Sequence, residues 1–333
     1  MEADGLGTGV AGGSAVVPKV SAICRMTAPK ISIIIPTQRR PQGLATAARS
    51  VFGQRGVRFR QLELVIVDND IEPSAKAQAQ ELARLAPFPV VYAHEPAPGV
   101  ANARNAGLAA ARGELIAFLD DDEEAGEGWL AALIAAQSAY RADAVFGPVR
   151  ARAPPSLAAH RAYLEEFFSR DGPAQAGLID HHYGCGDSLV RRAAMPDPQR
   201  PFRAIRNLIG GEDDLLFGEM RAAGARFAWA PEAWVWEDPA PDRLSLAYTV
   251  RRAFAYGQGP TSACAIASPP DRLGVARWMA IGVVQAVAFG LLAALHWIAR
   301  SNERAQMLDR AARGLGKVLW WTPFKIRFYG LPA

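Results

Sequence analysis

From residue 31 the chain alternates short apolar runs with stretches that read as helices. Ile31–Ile35 is a β-branched run stopped by Pro36, the pattern of a buried strand. Leu44–Phe52 reads as a helix and Leu62–Val67 as a second strand. A helix over Pro73–Ala86 follows, with Pro73 in its first turn, and then a strand over Val90–Tyr92. An Ala-rich helix spans Val100–Ala111, a strand Leu115–Leu119, a helix Gly126–Ala139 and a strand Ala144–Val149. This alternation predicts an α/β fold, a doubly wound and mostly parallel sheet with helices on both faces. In such sheets ligands bind beyond the carboxyl ends of the strands, so the residues directly after each strand are the candidates for chemistry.

The pattern then changes twice. Residues 150–211 are less regular, with a helix near Leu157–Phe168 and a Gly-rich passage at Gly184–Gly186. Asp213–Ala223 reads as a helix, Arg226–Ala230 and Ala233–Trp236 as short strands, and Leu244–Tyr256 as an amphipathic helix. Trp278–Ala299 is a run of 22 residues without Asp, Glu, Lys or Arg. As a helix it would be roughly 33 Å long, against about 30 Å of bilayer hydrocarbon. Arg272 and Arg277 precede it, and Arg300, Arg304, Arg310, Arg313 and Lys317 follow. A C-terminal membrane-associating helical region over 241–333 is therefore expected, at the cytoplasmic face of the cell membrane. Because basic segments prefer that side, a single span separates the basic tail from the preceding domain, whereas a re-entrant or in-plane helix does not. Both forms stay open here. Residues 1–29 are Gly/Ala-rich, carry Glu2 and Asp4 and lack a basic start, which predicts a disordered leader rather than a secretory signal.

Composition narrows the classes. Half of the 333 residues are hydrophobic, enough for a sizeable core, and net charge is only +4. A basic stripe with interleaved aromatics is missing from the first 240 residues, so no nucleic-acid partner is expected. Cys24, Cys185 and Cys264 are scattered, which argues against a disulfide framework or a structural zinc site. His181 and His182 are adjacent and have no third ligand at metal spacing. Trp229, Trp234 and Trp236 alternate as strand residues do, and core packing is favoured over a sugar platform.

The rim positions are polar. Thr37 and Arg39 follow the first strand, Asp68, Asn69 and Asp70 the second, and Asp120, Asp121 and Asp122 the fourth. Three adjacent carboxylates opposite two more require a counter-ion, and hard oxygen donors suit Mg²⁺ or Mn²⁺. Mg²⁺ completes its shell with water and substrate phosphates, so the cluster predicts a diphosphate ligand as well as a metal.

In order and spacing, Ile31-Ser-Ile-Ile-Ile-Pro-Thr, Val65-Ile-Val-Asp-Asn, Gly99-Val-Ala-Asn-Ala-Arg-Asn-Ala-Gly, Phe118-Leu-Asp-Asp-Asp and Gly211-Glu-Asp-Asp-Leu-Leu-Phe resemble family 2 glycosyltransferases over about 31–255. The resemblance implies a GT-A fold over 30–240, with a nucleotide-sugar-binding half over 30–150 and an acceptor half over 151–240. It also implies an inverting transfer from a nucleotide-diphosphate sugar, a UDP-sugar favoured, to a lipid-linked or saccharide acceptor in surface polysaccharide or glycolipid assembly. Carried over by position, Asp68 reads the base beside Pro36, Thr37 and Arg39, while Arg104, Asn105 and Asp121 contact the donor. Asp122 ligates the metal, and Asp120 contacts the ribose or the metal's water. Asp213, with Glu212 beside it, is the general base at a helix N-terminus, where ionised carboxylate is favoured. Asp187 falls near the acceptor. Two departures stand out: Asp68-Asn69-Asp70-Ile71 replaces the usual Asp-Asp-Gly-Ser, and Glu237 replaces a frequent His. A nucleotidyltransferase is the competing enzyme class, and it would place a Gly-rich phosphate loop where Pro36-Thr37-Gln38-Arg39 stands. A catalytically inactive nucleotide-sugar-binding subunit is the other alternative, although both acidic motifs are intact.

Overall fold

The computed structural model describes residues 30–326 except 158, 159 and 209, so the leader expected over 1–29 lies outside the described residues. Its strands are β1 (Ile31–Thr37), β2 (Leu62–Asp68), β3 (Val90–His94), β4 (Leu115–Phe118), β5 (Glu123–Ala125), β6 (Ala144–Phe146), β7 (Val149–Ala151), β8 (Gly177–Ile179), β9 (Ser188–Arg191), β10 (Phe227–Trp229) and β11 (Val235–Glu237). The helices are α1 (Pro41–Phe52), α2 (Lys76–Leu85), α3 (Val100–Ala110), α4 (Trp129–Tyr140), α5 (Arg161–Phe168), α6 (Glu212–Ala222), α7 (Leu246–Ile266), α8 (Arg272–Ile298) and α9 (Arg304–Val318).

Eight strands form one sheet in the order β3-β2-β1-β4-β9-β6-β10-β8, and β5-β11-β7 form a smaller one. β3, β2, β1 and β4 are parallel neighbours, and only β9 and β8 run against the main direction. β1 sits between two parallel partners, which is why its isoleucines need no polar alternation. Ile33 and Ile35 pack with Leu44 of α1, Leu82 of α2 and Leu130 of α4 on one side of the sheet. Ile34 packs with Leu108 of α3 and Leu216 of α6 on the other. Burying an Ile or Leu side chain contributes about 1.5–3 kcal/mol, and this sheet does so on both faces.

The elements differ from expectation at three places that shape the site. α2 starts at Lys76 rather than Pro73, because the Ala75 N–H donates to the Asp68 carboxylate at 2.7 Å and the residues before it form a turn. The strand expected over Ala144–Val149 breaks at Gly147-Pro148, since Pro has no N–H for a ladder. Its two pieces, β6 and β7, join different sheets. β9, antiparallel between β4 and β6, comes from a four-residue run without a strand-like alternation.

Beyond residue 245, α7, α8 and α9 pack as a three-helix unit in which α9 contacts both others. A Cβ on Gly314 would lie 2.5 Å from the Ala286 backbone nitrogen, and one on Gly257 would lie 2.2 Å from the Arg313 carbonyl oxygen. Small residues thus let the helix backbones touch. The other end of the unit rests on the α/β domain, where Ala305 packs with Tyr163 and Leu164 of α5.

Candidate active site

The site grows from strand register. Thr37 stands opposite Asp68 and Ile34 opposite Phe118, so the parallel strands β1, β2 and β4 end at one rim. Pro36 lies beyond the last β1–β4 pair, where a missing N–H costs no ladder bond. Thr37 then donates its hydroxyl to Asp121 at 2.8 Å, tying the first rim segment to the carboxylate loop.

Asn69 explains the first departure from the family pattern. Its amide N–H group donates to the carbonyls of Glu95 and Ala97, each at 2.8 Å, and its amide oxygen accepts from the Gly99 N–H at 2.9 Å. A carboxylate could not donate, so Asn rather than Asp suits this bracket for the loop leading into α3. Gly99 has φ of 130° and no room for a Cβ beside Asn207.

Arg104 is the hub. Buried on α3, it donates to Glu212 at 2.5 Å and to Asp120 at 3.2 Å, joining the start of α6 to the carboxylate loop. Asp213 instead lines a cleft of about 210 Å³ with Arg104, Asp120, Glu123, Arg170 and Glu237. Its carboxylate accepts from the Cys185 N–H at 3.2 Å and the Asp214 N–H at 2.9 Å. Glu212 therefore departs from a role as base: it is the buried partner of Arg104, while its neighbour faces the cleft.

The carboxylates crowd one another. Partial burial, with Asp122 and Asp120 nearby, pushes Glu237 up to about 8. Burial pushes Asp121 up to about 6, with Arg40 pulling against it. Burial also raises Asp120, opposed by Arg104, and it raises Glu123 well above the carboxylate range, reinforced by Asp120 and Asp187. Hard oxygen donors under mutual repulsion are what a divalent cation would relieve, so the donor set of Asp120, Asp122 and Glu237 fits one. Among the described residues no three carboxylate, imidazole or thiol side chains converge on a single point. A cation such as Mg²⁺ commonly takes only one or two carboxylates, with water and phosphate completing its shell.

Other expected contacts lie elsewhere. Asp68 is fully buried, and its carboxylate accepts from the Ala75 N–H, the Tyr92 hydroxyl at 2.9 Å and the Ser74 hydroxyl. In this arrangement it anchors the loop after β2. Arg39, at φ of 56°, turns outward into a bidentate pair with Asp70 at 2.8 and 2.9 Å. Asn105 departs from donor contact, because both ends of its amide bond the Phe202 backbone. Asp187 departs from the acceptor surface: it is fully buried, and it accepts from the Trp129 indole at 2.7 Å. Trp229 is core, but Trp234 and Trp236 lie half-buried under the Arg150 and Arg152 guanidinium groups.

Three residues of the site had no role in the sequence reading. Arg40 donates to Asp122 at 2.7 Å and to Asp121 at 3.1 Å, and its place after Thr37 was a usable signal. Glu123 accepts from the Asp120 N–H at 2.8 Å, and it extended the acidic run visibly. Arg170 donates to the carbonyls of Gly147, Gly184 and Gly186 from an irregular segment that gave no signal.

Known proteins share this framework. The family model described as glycosyl transferase family 2 matches residues 32–197. The succinoglycan biosynthesis protein ExoM of Rhizobium meliloti is 38% identical over 229 residues, 68% of this chain and 73% of that protein. A GalNAc(5)-diNAcBac-PP-undecaprenol beta-1,3-glucosyltransferase of Campylobacter jejuni is 32% identical over 107 residues, 32% of this chain and 34% of that protein. Among solved structures, a mannosyltransferase from Pyrobaculum calidifontis in complex with GDP-Man and Mn²⁺ superposes with a TM-score of 0.56 at 17% identity, covering 88% of each chain. S. aureus TarS 1-349 in complex with UDP-GlcNAc gives 0.50 at 16%, covering 86% of this chain and 90% of that one. The two structures share the fold, the Rhizobium meliloti relative shares the sequence along most of its length, and the chain belongs to glycosyltransferase family 2, an enzyme family with the GT-A fold.

Proposed function

We propose that this glycosyltransferase moves a sugar, with inversion, from a UDP-sugar to a lipid-linked saccharide acceptor in polysaccharide assembly at the cytoplasmic membrane face. The observation that carries the chemistry is the cleft where Asp120, Arg104, Glu237 and Asp213 meet. Asp122, with Asp120, would hold Mg²⁺ or Mn²⁺, which when bound neutralises charge on the departing diphosphate. Arg104 fixes Asp120 and draws Glu212 away from the cleft. Asp213, held by two backbone N–H groups, takes the proton from the acceptor hydroxyl as that oxygen attacks the anomeric carbon. The acceptor class draws on the relatives' names, one for succinoglycan biosynthesis and one for an undecaprenol-linked saccharide. Family membership also removes the support for a nucleotidyltransferase.

The test is transfer by purified protein from a panel of nucleotide sugars, repeated in EDTA and with Mn²⁺ restored. Asp122→Ala is expected to abolish transfer with the fold intact by circular dichroism. Full activity in EDTA would sink the metal assignment. Positioned bases contribute about 10²–10⁴-fold in rate, so Asp213→Asn is expected to lose that much with donor affinity unchanged. Glu212→Gln should lower stability instead, by leaving Arg104 buried without its partner. If Asp213→Asn turns over normally while Glu212→Gln is folded and dead, the base is misassigned.

A further inference from the structure

α8 exposes most of its length. Val284, Val287, Leu291, Leu295 and Ile298 recur at steps of three and four residues, so they form one line along the helix, and Leu291 and Ile298 are 65% and 81% exposed. An 18-residue window of this helix has a mean hydropathy of 2.1. Arg277 heads the same line, and Arg272 and Arg300 flank the helix, all three exposed and making no ion pair among the described residues.

We infer that the α7–α9 unit docks onto an anionic membrane with α8 lying in the plane of the surface rather than crossing it. The inference rests on the membrane placement proposed above and gives its geometry. α9 decides against a crossing. It runs antiparallel along α8, from Arg304 over the Trp297 ring, through Arg310 over Phe289, to Lys317 donating to Gln285 at 2.9 Å. Gly282 and Gly314 bring the two backbones together between these points. A crossing α8 would carry Arg304, Asp309, Arg310, Arg313 and Lys317 into hydrocarbon, where charged side chains are costly. Lying flat, the unit turns the apolar line of α8 to the lipid and keeps α9 on the aqueous side.

Charge selects lipid over a second copy of the chain. Residues 268–326 carry eight Lys and Arg against three Asp and Glu. In a symmetric pair of α8 helices, Arg272, Arg277 and Arg300 would be set against only Asp271 and Glu303 of the other copy, an excess of positive charge at the contact. Lipid phosphates balance that excess at both ends.

The test uses the full chain and sealed vesicles of phosphatidylcholine, alone or with phosphatidylglycerol. The protein is expected to float with the anionic vesicles and to bind pure phosphatidylcholine at least about tenfold more weakly. Val284→Glu combined with Leu291→Glu should lose flotation while keeping its circular dichroism. Ser268→Cys and Asn302→Cys flank α8, and both should react with a membrane-impermeant maleimide added outside the vesicles. Protection of either one would establish a crossing and overturn the in-plane geometry. Failure to float, with a concentration-dependent dimer in sedimentation, would overturn the lipid assignment. UDP binding by calorimetry separates this inference from the reading of the site: flotation without UDP binding removes the donor proposal only, and UDP binding without flotation removes this one only.

Discussion

Arg40 holds Asp121 and Asp122 of the carboxylate loop with one guanidinium group. It is the positive charge that both carboxylates share, and on the proposed reading a metal would compete with it for Asp122. Arg40→Gln is expected to lower the melting temperature of the metal-free protein by a few degrees, about 1 kcal/mol or somewhat more. The rise on adding Mn²⁺ should exceed that of the wild type, because the ion then relieves more repulsion. An equal rise in both would show that Arg40 and the metal act independently. Asp187 gives a second residue-level test. Burial pushes its carboxyl up to about 7, with Arg170 and Trp129 pulling against it. A carboxyl raised in the fold keeps its proton where the unfolded chain has lost it. Its contribution is therefore complete below about pH 4 and is lost as pH rises through about 7. Melting temperature should fall between about pH 4 and pH 8, and Asp187→Asn should flatten the part of that fall below about pH 7. Glu237, pushed up to about 8, shares the remainder with the other raised carboxyls, Asp120, Asp121 and Glu123. An unchanged slope in Asp187→Asn would assign the whole fall elsewhere.

Among the elements, the legible ones are those whose neighbours are alike. β1 and β2 lie inside a parallel sheet, so both faces must be apolar and a continuous β-branched run announces them. The ends of those strands carry the site, which is why Thr37 and Asp120–Asp122 could be found from spacing alone. β5, β8 and β9 were not legible, because three or four residues hold too little pattern and their partners lie far along the chain. The choice of Asp213 over Glu212 as base rested on resemblance alone for a related reason. Adjacent residues on a helix point about 100° apart, and only the packing of α6 decides which faces the cleft. α8 and α9 add an element-level prediction. A side chain at Gly314 meets backbone atoms of α8, which cannot rotate away as a side chain could. Gly314→Val is expected to cost about 1–3 kcal/mol and to raise amide exchange in α8 and α9 while leaving UDP affinity unchanged. Unaltered exchange there would mean that the close approach does not hold the pair.

At the scale of the whole molecule, the site and the apolar helix are joined through a short physical chain. The Tyr163 hydroxyl of α5 donates to Asp309 of α9, and His160 stacks on Trp297 of α8. On the membrane docking proposed above, these contacts let the helical unit set the height and tilt of the α/β domain over the lipid. An acceptor confined to that surface meets the cleft at a high effective concentration, while a water-soluble acceptor gains nothing from it. This separates two jobs that one activity assay would merge. With a soluble saccharide acceptor, Val284→Glu combined with Leu291→Glu is expected to transfer at the wild-type rate, since neither residue is near Asp213 or Asp122. With a lipid-linked acceptor in anionic vesicles, the same variant should show a KM raised by about tenfold or more, with kcat nearly intact once acceptor saturates. A loss of kcat on both acceptors would mean that the helical unit supports the shape of the cleft rather than its position. Equal KM values for variant and wild type on the vesicles would mean that the acceptor reaches the cleft from solution, and that α8 serves some purpose other than presenting the site to lipid.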